Sequence, residues 1–433
     1  MSSARLLATS LLLSVVAAQS PDNTTEAHPK LTTYKCTTDG GCIAQNSSLV
    51  LEASQHNIYQ RDNPTLNCGD YGSAPNATVC PDQETCQQNC AISGISDYTT
   101  HGVHTNGSDL TLIMLGDNGA EYSPRVYLMN EAEDAYEVLQ LTGQEFTFDV
   151  DMAKLPCGMN SALYFVEMDG QGGQSSTDLT VAGAPYGTGY CDAQCYTTPF
   201  ANGLANINGS GVCCSELDIW EANSRANQFA PHPCNETGLY MCDTASGECG
   251  SNGVCDKSGC GLNPYRTDTQ FYGLDMVVDT TRPFSVVTQF PANEDGVLTS
   301  YKRLYVQDGK VIETPAVTVS GVAQTIVDDA FCTAAGASRY MDLGATEGMG
   351  ESMSRGMVLV FSLWWDSSTS MQWLDQSSSG AGPCNATEGS PASIKAIEPD
   401  TQVTFSKIRW GDIGSTFSSG SANVSAGTGG AKL

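Results

Sequence analysis

Residues 213–223 read CCSELDIWEAN, and the fold turns on how this stretch is read. As a strand it places Glu216 and Asp218 on one face, because successive side chains alternate. Glu221 is an odd number of residues from Glu216 and falls on the other face. One β-bulge within 217–221 adds a residue, restores the parity and returns Glu221 to the face of Glu216. The two backbones are then about four strand steps, roughly 13 Å, apart at about 3.3 Å per residue. Side chains leaning together take up most of that distance. What remains is in the range of about 5–5.5 Å that retaining glycoside hydrolysis uses, rather than the wider inverting gap. Asp218 lies between the glutamates, where it can hydrogen-bond one of them and separate their pKa values. By themselves the three carboxylates also suit a calcium site or a solvated strand face. Cys213 and Cys214 point to opposite sides and need two different partners, which clamps the strand from both faces. Ordinary structural cross-linking would use the same device.

Outward from this stretch the chain reads as β. Candidate strands are EFTFDVDM (145–152), SALYFVEMD (161–169), FSVVTQF (284–290), GMVLVFSLWW (356–365) and QVTFSKIRW (402–410). YVQDGKVI (305–312) reads as a hairpin with Asp308-Gly309 at the turn. Loops rich in Gly, Asn and Ser separate the strands, and short helices are expected at 81–90 and 326–354. This pattern predicts a two-sheet antiparallel sandwich or jelly roll rather than βαβ units.

The chain opens with MSSARLLATSLLLSVVAAQS, a basic residue, an apolar stretch and small residues in the order of a secretory signal peptide, cut after Ala18. The expected organisation is a signal peptide at 1–18, one catalytic domain at 19–416 and a low-complexity tail at 417–433. That tail has the composition of neither a folded module nor a carbohydrate-binding one. No later stretch is long and apolar enough for a membrane span. All 18 cysteines follow the signal, so about nine disulfides are expected, with connectivity left open. Eight N-x-S/T sequons, at Asn23, Asn46, Asn76, Asn106, Asn208, Asn235, Asn385 and Asn423, agree with a secreted surface. With 19 Lys and Arg against 48 Asp and Glu, the formal charge of −29 repels nucleic acid and anionic membranes. It favours an uncharged substrate.

CCSELDIWEANSRANQFAPHPC (213–234) closely resembles the active-site strand of family 7 glycoside hydrolases, the secreted cellulases. LTTYKCTTDGGC (31–42), LPCGMNSALYFVEMDG (155–170), YGTGYCDAQC (186–195), RGMVLVFSLWWD (355–366) and IRWGDIGST (408–416) are similar to further family segments, in order along the chain. The resemblance implies a curved, concanavalin-like jelly roll and retaining hydrolysis of β-1,4-glucan without metal or cofactor. By matched position it makes Glu216 the nucleophile, Glu221 the general acid/base and Asp218 the assisting carboxylate, with His232 tuning Glu221. It places Trp364 and Trp373 on the glycon and leaving-group sides of the cleavage point. Tyr164, Tyr190, Asp192, Gln194 and Arg266 fall in segments similar to substrate-binding ones. Of Trp364 and Trp365, neighbours on a strand, alternation lets only one line the cleft, and Trp364 is the one expected. Trp220 is expected in the core.

The same family contains open-cleft endoglucanases and tunnel-forming cellobiohydrolases, and the loops discriminate. Between Cys195 and Cys213 the chain is short, and 53–71 has no tryptophan platform, Tyr59 being a weak substitute. Both features favour an endoglucanase acting as a monomer on β-1,4-glucan, with xylan as a side substrate. The five cysteines at 234–260 suggest partial cover at the leaving-group end. A cellobiohydrolase of the same family and a non-catalytic glucan-binding lectin are the alternatives.

Overall fold

The computed structural model describes residues 20–174 and 181–418. The expected signal peptide and nearly all of the tail lie outside these residues. Twelve strands form the principal path: β1 (Lys30–Thr37), β2 (Gly41–Leu51), β3 (Arg125–Met129), β4 (Gln144–Asp151), β5 (Met159–Val166), β6 (Glu216–Ala222), β7 (Asn227–His232), β8 (Phe284–Gln289), β9 (Tyr301–Gln307), β10 (Lys310–Glu313), β11 (Met357–Trp365) and β12 (Gln402–Asp412). They hydrogen-bond in the order β7-β6-β5-β11-β3-β2-β1-β12-β4-β8-β9-β10 within a 16-stranded sheet. Along this path only the β1–β12 pair is parallel.

The sheet folds back on itself into two layers. Phe146 and Phe148 of β4 meet Phe165 of β5 and Trp220 of β6 edge-on, with ring centroids 5.1 and 5.8 Å apart. Phe361 of β11 meets Phe405 of β12 at 5.5 Å. These strands are far apart along the hydrogen-bonded path, so the rings can touch only across a sandwich. One buried cluster containing all of these residues forms the core. On β5 every residue is buried. Leu163 and Phe165 enter this core, while Ala162, Tyr164 and Val166 pack in a second cluster on the opposite face.

The five strands read from sequence appear within three residues of their expected limits. The β9–β10 hairpin turns at Asp308 and Gly309, both with positive φ (53° and 72°), as a primed two-residue turn requires. The expected helices are α1 (Gln83–Asn89), started by an Asp82 cap, and a run of α2 (Asp329–Ala335), α3 (Ser338–Asp342) and α4 (Ala345–Arg355), started by Asp328. The cysteines form nine disulfides: Cys36–Cys42, Cys68–Cys90, Cys80–Cys86, Cys157–Cys384, Cys191–Cys214, Cys195–Cys213, Cys234–Cys255, Cys242–Cys249 and Cys260–Cys332. Cys213 and Cys214 take separate partners, as their alternation demands.

Candidate active site

The bulge is where the spacing of the carboxylates requires it. Against β5 the register runs Phe165–Leu217 and then Leu163–Trp220, so Asp218 and Ile219 together oppose Tyr164. Against β7 it shifts between Asp218 and Glu221. Ile219 and Trp220 are consecutive, yet both enter the core with Leu217. Glu216, Asp218 and Glu221 are left on the other side, lining one cleft. The bulge is tied from the opposite layer, where the buried Arg303 of β9 donates through Nη2 to the Ile219 carbonyl. Its guanidinium also lies over the Trp220 ring, 5.8 Å from the centroid.

A short loop presents the nucleophile candidate with its hydrogen-bond donor. Cys191 and Cys195 are bonded to Cys214 and Cys213, so both ends of 191–195 are fastened to the chain just before β6. Within this loop the Ala193 N–H donates to Glu216 Oε2 at 3.1 Å. Asp192 accepts from the amides of Gln194 and Cys195. Glu221 is held differently. Asn160 Nδ2 donates to its Oε1 at 3.0 Å, while Asn160 Oδ1 accepts from the Ala222 amide. His232, paired with Glu216 across the β6–β7 hairpin, donates from Nδ1 to the Asp256 carbonyl at 2.8 Å. Its Nε2 faces Asp218 Oδ2 at 3.1 Å. Gly259, at φ +67°, packs so tightly on this ring that a Cβ would stand 2.6 Å from His232 Cε1.

Burial drives the electrostatics. It raises Glu216, Asp218 and Asp192 above the ordinary carboxylate range. Repulsion from Asp218 adds to the rise at both glutamates. Glu221 is pushed up to about 8, by burial first and Asp218 second, against the opposing pull of His232 and Asn160. So many carboxyls in one water-poor site cannot all ionise, and their protons are shared. The backbone amide on Glu216 stabilises its charged form, whereas Glu221 has only a side-chain amide. The Ala193 amide thus opposes the rise at Glu216 without cancelling it, and Asn160 does the same at Glu221.

The cleft has a volume of ≈ 770 Å³. It contains ten of the eleven residues expected at the site: Glu216, Asp218, Glu221, His232, Trp364, Trp373, Tyr164, Tyr190, Asp192 and Gln194. Arg266 is the exception. It is exposed on a short turn, donates to the Ser379 carbonyl at 3.2 Å, and is not among the cleft-lining residues. Tyr59 likewise donates to Asp22 away from the cleft. Trp365 corrects the alternation rule. It belongs to the core and lies under the Lys395 ammonium, yet it borders the cleft beside Trp364. It is the last residue of β11, where the strand ends and the two faces are no longer kept apart.

Sequence reasoning missed Arg125, Glu52, Asn160, Lys257, Tyr71 and Tyr196. Arg125 pairs with Glu52 at 2.9 Å and lies over the Tyr190 ring, 4.1 Å from its centroid. Tyr190 in turn shares a hydroxyl hydrogen bond of 2.9 Å with Tyr164. Lys257 Nζ donates to the Gln194 carbonyl at 2.5 Å, and Gln194 Nε2 returns a bond to the Lys257 carbonyl at 3.1 Å. The one weak signal in the sequence was Arg125, a lone cation opening the otherwise apolar strand RVYLM.

A jelly roll carrying paired glutamates in a long groove is the architecture of a polysaccharide-cleaving glycosidase. The model of the glycosyl hydrolase family 7 matches residues 20–417. Endoglucanase 1 of Pyricularia oryzae is 54% identical over 419 residues, covering 95% of this chain and 97% of that protein. The native structure of Humicola insolens endocellulase EGI superposes with a TM-score of 0.87 at 51% identity, over 92% of this chain and 100% of that one. A cellobiohydrolase from Daphnia pulex shares the fold at a TM-score of 0.84 with 34% identity, over 92% and 100% of the two chains. The chain belongs to glycosyl hydrolase family 7.

Proposed function

We propose that this chain is a secreted, monomeric retaining endo-β-1,4-glucanase with one catalytic domain over 19–416. The observation that carries the reading is the bulge, which puts Glu216 and Glu221 on one face of one cleft despite their odd spacing. Glu216, charged and fixed by the Ala193 amide, attacks the anomeric carbon of the sugar on the glycon side. The glycosidic C–O bond breaks as Glu221 gives its proton to the leaving oxygen. A glycosyl ester on Glu216 results. In the second step Glu221, now a carboxylate, takes a proton from water. The water oxygen bonds to the anomeric carbon, and Glu216 departs as a carboxylate.

Asp218 and His232 act through the glutamates. Loss of the Glu221 proton is opposed by the Asp218 charge, and the Nε2 contact to Asp218 moderates that charge. Trp364 and Trp373 offer flat faces to the apolar sides of pyranose rings on the glycon and leaving-group sides. The closer likeness to endoglucanases than to the cellobiohydrolase supports internal cleavage. Nine disulfides suit an oxidising, extracellular destination.

The test compares viscosity with reducing ends released on hydroxyethyl cellulose. An early collapse of viscosity with few new ends is expected. Slow viscosity loss with cellobiose as almost the sole product would assign chain-end cleavage instead. Glu216→Gln should lower turnover by about 10³-fold or more while glucan still binds. Unchanged turnover would remove Glu216 from the chemistry.

A further inference from the structure

Among the described residues, only three Phe, Tyr or Trp side chains stand out as exposed: Tyr71 at 47%, Tyr196 at 56% and Trp373 at 38%. All three line the cleft. The proposed mechanism uses Trp373 and leaves the two tyrosines without a role. Their ring centroids are 6.3 Å apart and tilted by 48°. Their loops are tied together, since the Gly72 amide donates to the Thr197 carbonyl at 2.9 Å. A pair serving only to pack would bury its faces, as the large aromatic rings of the core do. These rings instead leave about half their surface open to the groove.

Their place along the groove follows from the strand order. Arg125, on β3, stands three strands from the catalytic strand β6, roughly 14 Å away at about 4.8 Å per strand. The Tyr71 hydroxyl faces the Arg125 guanidinium, and Tyr196 lies within the electrostatic reach of Asp192, Glu216 and Asp366. Tyr196 follows Cys195, which is bonded to Cys213 just before β6, so the pair borders the groove on the side that runs from Glu216 towards Arg125. In this direction the groove also passes Trp364 of β11. A β-glucan chain advances by about one strand spacing per ring, which sets the second and third sugars from the cleaved bond under the tyrosines.

We propose that Tyr71 and Tyr196 form an aromatic clasp, a subsite that grips a pyranose ring two to three residues from the cleaved bond and makes the enzyme favour longer glucan chains. Ring faces cover the apolar C–H side of the sugar, and the Tyr71 hydroxyl and Arg125 meet its hydroxyl groups. The proposal rests on the reading of the cleft as a β-1,4-glucan site.

The test measures kcat/KM on cellohexaose and on cellotriose for the full chain and its variants. Wild type must cleave cellohexaose, and a wild type inert on it would refute the glucan reading rather than the clasp. In Tyr71→Ala and Tyr196→Ala the hexaose-to-triose ratio should fall by about tenfold, the scale of one aromatic contact. The change should sit mainly in KM. Tyr71→Trp, which restores a flat ring, should recover the ratio, and Tyr71→Phe should keep most of it. An unchanged ratio, or a parallel fall on both substrates that Tyr71→Trp does not repair, would overturn the clasp.

Discussion

Burial and the Asp218 charge lift Glu221 to about 8, against an ordinary glutamate value of 4.5. Between these values the folded protein holds a proton that the unfolded chain has released. Stability therefore falls as pH rises through that window and is fully regained below pH 4.5. Glu221→Gln removes the penalty. Its unfolding free energy should exceed that of wild type by roughly 1–3 kcal/mol at pH 8 and match it at pH 4, measured by urea unfolding. Equal values at both pH settings would mean that the carboxyl ionises freely. The wild-type pH profile of kcat/KM should fall above about pH 8, and the variant should lack that limb. At this scale the sequence was informative about charge and nearly silent about support. The E-x-D-x-x-E spacing named the three carboxylates that share the cleft. Asn160 and Arg125 could not be told from solvated strand residues, because only the strand register shows which polar side chain meets which carboxylate.

Among the elements, β6 is the one whose irregularity matters. Sequence parity called for an extra residue between 217 and 221, and the structure places it there. Nothing in the sequence indicated what holds it. Arg303 lies more than eighty residues downstream in the other layer, buried without a carboxylate partner among the described residues, and it donates a hydrogen bond to the Ile219 carbonyl. Arg303→Met should leave that carbonyl bare in the core and loosen the bulge. We expect kcat to fall by about tenfold with KM little changed, together with a loss of about 1–3 kcal/mol in unfolding free energy. Native kcat in a destabilised variant would show that β6 keeps its bulge by itself. Most other strands were easier to read because they keep the ordinary alternation, β12 being an exception where Lys407 and Ile408 together oppose Phe148 of β4. Trp365, at a strand end, is where that rule gave out.

Across the whole molecule, the class of fold was legible from scattered β segments and even cysteine usage, whereas its closure was not. The contact of Phe146 with Phe165 and the choice of cysteine partners are decided in three dimensions, by packing that no local pattern encodes. Cys157–Cys384 joins residues 227 positions apart. It lies beside Asp375, which accepts from the Gly158 amide and from Asn223 at 2.7 Å each. Replacing both of these cysteines by serine should lower unfolding free energy by about 3–5 kcal/mol, visible as a reduced melting temperature under oxidising conditions. A melting temperature equal to wild type would assign the closure to packing alone. The loop 191–195 has a different consequence. Its two bonds to Cys213 and Cys214 fix the amide that steadies Glu216, so the proposed nucleophile acquires its setting only when those thiols are oxidised. On the proposed mechanism, competence thus arrives with oxidation of the chain rather than with its synthesis, and a chain kept reduced stays inert towards glucan.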